Sequence, residues 1–149
     1  MKVSNLFLES YLSIINESSD KSHIEKFAAN AHEEWRKGFD SEYAKSGKVS
    51  KPRIKKNSDG TEGDINVDFN KLHPDWKKEN LAAGEAALEA IKKYPENTEK
   101  AAEHIHNKWM ERNPKEDYNA AQHVPYSELP EDEKEKDRVH VKTIKTIIR

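Results

Sequence analysis

The sequence predicts a mainly α fold with short β segments, organised as two pseudo-symmetric copies of one small helical unit. Three observations predict it. Residues 24–37 and 98–112 carry apolar positions at helical spacing and share a residue set: Ala28, Ala31, His32 and Trp35 recur as Ala102, Ile105, His106 and Trp109, each 74 residues on. A second set, Val67, Phe69, Leu72, Asp75, Lys77 and Asn80, recurs as Val124, Tyr126, Leu129, Asp132, Lys134 and Asp137, each 57 residues on. The 17-residue difference between the two spacings is one insertion in the first copy, so the chain reads as a tandem duplication.

Composition narrows the options. With 149 residues, 34% hydrophobic and 36% charged, the chain supports one domain, or two small units sharing a lean core under a heavily charged surface. A formal charge of −2 does not suit a polyanion-coating protein. No cysteine is present, which excludes disulfides and thiolate metal sites and points to a reducing compartment. No apolar run approaches the roughly 20 residues that span a bilayer.

Residues 3–17 predict an amphipathic helix with Leu6, Tyr11, Ile14 and Ile15 among its apolar positions, and Glu9 breaks the run that a secretory signal would need. Polar residues 18–22 predict a break. Gly38 is expected to end the helix over 24–37, as a glycine past the last turn commonly does. Residues 45–56, with Lys45, Lys48, Lys51, Arg53, Lys55 and Lys56 and no acid, predict a solvated basic loop, or an arm reaching for phosphate, closed by a turn at Asp59-Gly60. Alternation of Ile65, Val67 and Phe69 with polar residues predicts a short extended segment, repeated at 123–126 where Pro125 bars a central strand. Helices are then expected over 74–94 and 130–148, opening on Pro74 and Pro130 and interrupted or re-faced midway, since Gly84 weakens the first and the charge run 131–138 gives the second no apolar face before Val139. Thr98 is the expected cap of the helix over 98–112, and Asn113-Pro114 its stop.

Residues 101–148 resemble the RyR domain, the short repeat named for ryanodine receptors. The similarity is carried by Ala102-Glu103-His104-Ile105-His106-Asn107-Lys108-Trp109, by Val124-Pro125-Tyr126-Ser127-Glu128-Leu129, and by Glu133-Lys134-Glu135-Lys136-Asp137-Arg138 ahead of Ile144, Ile147 and Ile148. Residues 27–91 look like a diverged copy, in which the basic insertion and Trp76 depart from the family pattern, as Asn113-Pro114 does in the second copy. The organisation expected is an N-terminal helix or leader over 1–20, a first repeat over 21–95 with a basic loop at 44–60, and a second repeat over 96–149. The resemblance implies a helical fold with a small β-hairpin-like element per repeat, the repeats packed about a pseudo-twofold. It also implies binding of an adenine nucleotide between repeats through the two tryptophans. Met1-Lys2 with Phe7-Leu8-Glu9 and Ile15-Asn16-Glu17 resembles the capsid-targeting leader of internal head proteins of tailed phages, which implies cleavage after Glu17; a docking helix is the competing reading.

The residues that could do chemistry follow from the duplication. Trp35 and Trp109 take symmetry-equivalent places where two indoles could sandwich one flat ring, or each could plug its own core. Arg36, Arg112 and Arg138 are candidate phosphate cations, or surface ion pairs, and Asn80 and Asp137 candidate acceptors for an exocyclic amine or ribose hydroxyl, or helix anchors. His32 and His106, with Phe69, Tyr126, Leu72 and Leu129, are read as structural, the histidines bonding to backbone. With no Gly-x-Ser-x-Gly, no phosphate-cradling glycine loop and no metal-spaced histidines, no catalytic residue, metal or cofactor is expected. The expectation is a non-catalytic module binding an adenine-nucleotide-like molecule, in the cytoplasm or, if phage-encoded, in the host cytoplasm or virion. Sequestering a defence signal is its expected role if it is viral. The alternative is a protein-interaction or structural module, such as an internal head protein. Nucleic acid and membrane partners are not expected.

Overall fold

The computed structural model describes the backbone of residues 2–45 and 52–149 and the side chains of residues 19–40 and 52–149. The described chain is mainly helical with one short hairpin: α1 (Lys2–Lys45), β1 (Ile54–Lys56), β2 (Glu62–Asp64), α2 (Pro74–Lys93), α3 (Thr98–Arg112) and α4 (Glu131–Ile147), with 3-10 turns at Phe69–Lys71, Asp117–Asn119 and Tyr126–Glu128. Each helix packs on the next in sequence, and α4 folds back against both α2 and α1. One apolar cluster, including Phe27, Ala87, Ile91, Ala102, Ile105, Val141 and Ile144, draws on all four helices. No helix is long and apolar enough to cross a membrane among the described residues.

Several local expectations are corrected. The helix of residues 2–45 runs unbroken through 18–22, because that polar stretch contains no proline or glycine to interrupt the hydrogen-bond ladder and Asp20 pairs with Lys92 of α2. Gly38 does not stop α1: among the described residues only Gly60, at φ 87°, has positive φ, and Trp35 stacks on Phe39 across the Gly38 position. The side chains expected to pattern residues 3–17, Glu17 of the leader motif, and residues 46–51 of the basic loop lie outside the described residues.

Downstream of that gap, β1 pairs antiparallel with β2, Lys55 opposite Gly63, and Gly60 makes the turn. The extended segments expected at Phe69 and Tyr126 are instead 3-10 turns that lead straight into the following helices. The resemblance implies a hairpin in each repeat; the second half has none among the described residues, since the strands lie in the insertion. Asn97 caps α3, its side chain accepting from the Lys100 amide, and Thr98 is the first helical residue.

Neither α2 nor α4 is interrupted. Gly84 sits where α1 crosses α2, and a Cβ there would meet the Ile24 carbonyl at 2.9 Å and the Phe27 ring at 3.3 Å. The glycine permits the close crossing, and burial offsets its propensity cost of about 1 kcal/mol. In α4 the charged first half is held by ion pairs one turn apart, such as Lys134 with Glu131 and Lys136 with Glu133, while Val141 and Ile144 enter the core.

Candidate functional site

The two copies build the same frame. His32 Nε2 and His106 Nε2 each lie 2.7 Å from a main-chain carbonyl, that of Val67 and that of Val124. A carbonyl only accepts, so each ring donates from Nε2. Each histidine stacks on the tryptophan one turn later, with ring centroids 5.8 Å apart in both copies. Each also meets the aromatic ring of its 3-10 turn, His32 with Phe69 at 6.3 Å and His106 with Tyr126 at 6.4 Å. Leu72 and Leu129 follow as buried anchors with nearly identical backbone angles, φ −65° and −69°.

This frame places a hollow beside each tryptophan. The larger, about 630 Å³, opens between α1, α2 and α4 and is lined by Trp35, Leu72, Trp76, Asn80, Val139 and Thr143, with Glu34, Glu79 and Lys136 among its charged residues. The smaller, about 310 Å³, lies between α3 and α4 and is lined by His106, Trp109, Gln122, Leu129, Glu133 and Asp137. Lys136 and His140, one turn apart on α4, line both and form the ridge between them.

Trp35 and Trp109 therefore do not share one hollow, and the expected two-indole sandwich is corrected. Helical spacing stacks their own neighbours on them: Trp35 is bracketed by His32 and by Phe39, the latter at 5.3 Å and 17°, and Trp109 by His106 and a tilted His123. The aromatic pair in the larger hollow is Trp35 with Trp76. Trp76 is held from behind, its Nε1–H donating to Asn57 Oδ1 at 3.0 Å. Asn57 is buried in the hairpin turn and donates in turn to Thr61 Oγ1.

The same turn is docked on the start of α2. His73 Nδ1 accepts from the Asp75 amide while its Nε2–H donates to Asp59, and Asp75 accepts from the Ser58 amide. The Thr61 hydroxyl and amide, with His73, hold the Asp59 carboxyl well below the usual range. The insertion thus buttresses Trp76, which lines the site.

The three arginines expected as phosphate cations line neither hollow. Arg36 bonds Glu33, Asp68 and Asn66; Arg112 bonds Glu79; Arg138 bonds Glu99 at 2.6 Å and also Glu131 and Glu135. Acids within a turn or across the helix contact satisfy each guanidinium first. Glu99 also accepts from the Tyr126 hydroxyl at 2.7 Å, tying α3 to the turn before α4. That carboxyl is lowered by Arg138, and burial together with Glu99 pushes the Tyr126 phenol up to about 12.

Asn80 and Asp137 face different hollows from equivalent positions. Asn80 donates back to the Trp76 carbonyl. Asp137, an acceptor when ionised, cannot make that bond; its side chain is only 15% exposed, and the nearest basic nitrogen, His106 Nδ1, is 4.0 Å away. Burial, reinforced by Glu133, pushes the Asp137 carboxyl up to about 7.

Sequence reasoning missed the linings supplied by Trp76, Lys136 and His140. His140 sits between Val139 and Val141, packs edge-on to Phe27 at 5.3 Å, and burial lowers its pKa so that it stays neutral. Its spacing of three from Asp137 was a usable signal, as was that of Trp76, four before Asn80 on one helix face. No protein-family model matches the chain, and no curated protein matches it.

Proposed function

We propose that this protein is a non-catalytic ligand-binding module whose larger hollow receives the flat ring of an adenine-nucleotide-like molecule. The observation that carries this reading is the hollow itself: about 630 Å³ at the junction of the two halves, walled by Trp35 and Trp76, floored by apolar groups, and edged by Asn80 and Thr143. Such a lining, mostly apolar with a few convergent polar groups, suits a heteroaromatic ring. The resemblance of residues 101–148 to the RyR domain supports it. The non-catalytic reading is supported by His32 and His106, whose Nε2 atoms are engaged by main-chain carbonyls.

Charge refines the ligand. Glu34 is matched by Lys37 and Glu79 by Arg112, and Lys136, the cation that lines the hollow, is itself paired with Glu133. A base or nucleoside gains the full benefit of the hollow, whereas a triphosphate meets a single lysine. The expected order of affinity is adenosine and AMP ahead of ATP, measured by titration calorimetry and tryptophan fluorescence. Trp76→Ala and Trp35→Ala should each weaken adenosine about tenfold or more, from stacking worth about 1–3 kcal/mol. Silence across the three ligands, or affinity indifferent to both substitutions, removes the proposal.

A second reading has its own observation. Trp35 is 39% exposed and Val139 47% exposed at the mouth of the hollow. A partner's apolar side chain inserted there would make this an interaction surface. Loss of small-molecule binding together with retained protein association would favour it.

A further inference from the structure

We infer that the smaller hollow is a second binding site, selective for a small planar cation of the amidinium or guanidinium class, which lays its N–H groups against the Asp137 carboxylate. The inference stands independently of what fills the larger hollow. Asp137 is a largely buried acceptor for which no donor bonds among the described residues, and it lines a space of about 310 Å³. Its counterpart Asn80 satisfies itself on the Trp76 carbonyl, a bond that an ionised carboxylate cannot make, so the second copy has exchanged a self-satisfied amide for an acid facing open space.

The other charged and titratable groups around it sharpen the ligand class. From α4, Glu133 adds a second negative charge, and Lys136, 67% exposed, already spends its own charge on Glu133 at 2.9 Å. From α3, His106 places Nδ1 at 4.0 Å from the Asp137 carboxyl, its Nε2–H being used at Val124. His140 on α4 is neutral. An anionic ligand would meet two carboxyls and one paired lysine. A planar cation finds a carboxylate for a two-pronged bond, the Gln122 amide and the aromatic wall of Trp109.

Because burial holds Asp137 partly protonated near neutrality, cation binding must expel a proton. Calorimetry with methylguanidine and benzamidine tests this on the whole chain. Binding is expected at pH 8 and should be about thirty-fold weaker at pH 5.5, the fraction of ionised carboxyl expected 1.5 pH units below a pKa of about 7. At pH 6.5, buffers of different ionisation enthalpy should report release of most of a proton per cation bound. Asp137→Asn should abolish binding while leaving the circular-dichroism spectrum of the fold intact. If that variant fails to fold, the proton count on the unaltered protein still decides. No heat at pH 8, no proton release, or undiminished affinity in Asp137→Asn overturns the inference.

Discussion

Asp137→Asn should stabilise the protein at pH 8 relative to pH 5, and the size of the effect can be worked from the burial of the side chain. The ordinary carboxyl value of 3.8 is raised to about 7 by desolvation and by Glu133. A raised folded pKa means that the folded chain holds its proton longer than the unfolded one. The stabilising contribution is therefore complete below about 3.8 and is lost progressively as pH rises to about 7, above which the deficit is constant. At about 1.4 kcal/mol per unit, the whole deficit is about 4 kcal/mol at most, and about 3 kcal/mol of it falls between pH 5 and pH 8. Asparagine cannot ionise, so the stability difference between variant and unaltered protein should shift in favour of the variant by up to that amount over this interval. Urea denaturation of both proteins at the two pH values measures it, and contributions of other groups cancel in the difference. An unchanged difference would refute the claim that burial penalises the ionised carboxyl.

Two glycines should respond oppositely to alanine. Gly84→Ala must push apart α1 and α2 and should cost about 1–3 kcal/mol, whereas Gly38→Ala, with nothing within 4 Å, should gain about 1 kcal/mol; thermal melts compare them. His32→Ala and His106→Ala each strand a main-chain carbonyl, and each should cost about 1–3 kcal/mol in denaturant titrations; a loss in only one would break the equivalence of the two frames. Asn57→Ala removes the partner of the Trp76 indole, so it should alter tryptophan fluorescence and weaken adenosine severalfold with a stability loss of about 1 kcal/mol.

The features legible in the sequence were those that depend on local periodicity. The span of α3, the start of α2 at Pro74 and the paired His-x-x-Trp faces follow from spacing and proline chemistry alone. What escaped depends on tertiary company. Gly38 reads as a stop only until Asp40, beyond it, finds a partner in Asn66 while Phe39 stacks back on Trp35. Arg36, Arg112 and Arg138 read as phosphate ligands because part of their pairing comes from distant segments, Asp68, Glu79 and Glu99, in addition to Glu33, Glu131 and Glu135 on their own helices. Trp76 looked like a blemish in the repeat, since nothing in its own helix shows that a buried asparagine from the insertion fixes its indole. The symmetry of the sequence was real at the frame and misleading at the lining, where Trp76 faces one hollow and Glu133 the other.

The ridge formed by Lys136 and His140 has a thermodynamic consequence. Because one pair of side chains lines both hollows, a ligand that reorients either residue from one side changes the affinity of the other side. Linkage makes that effect mutual and equal in free energy, whichever ligand arrives first. On the two proposed occupancies, a duplicated frame that shares a single partition couples the hollows, with the sign set by which rotamer of Lys136 each occupant prefers.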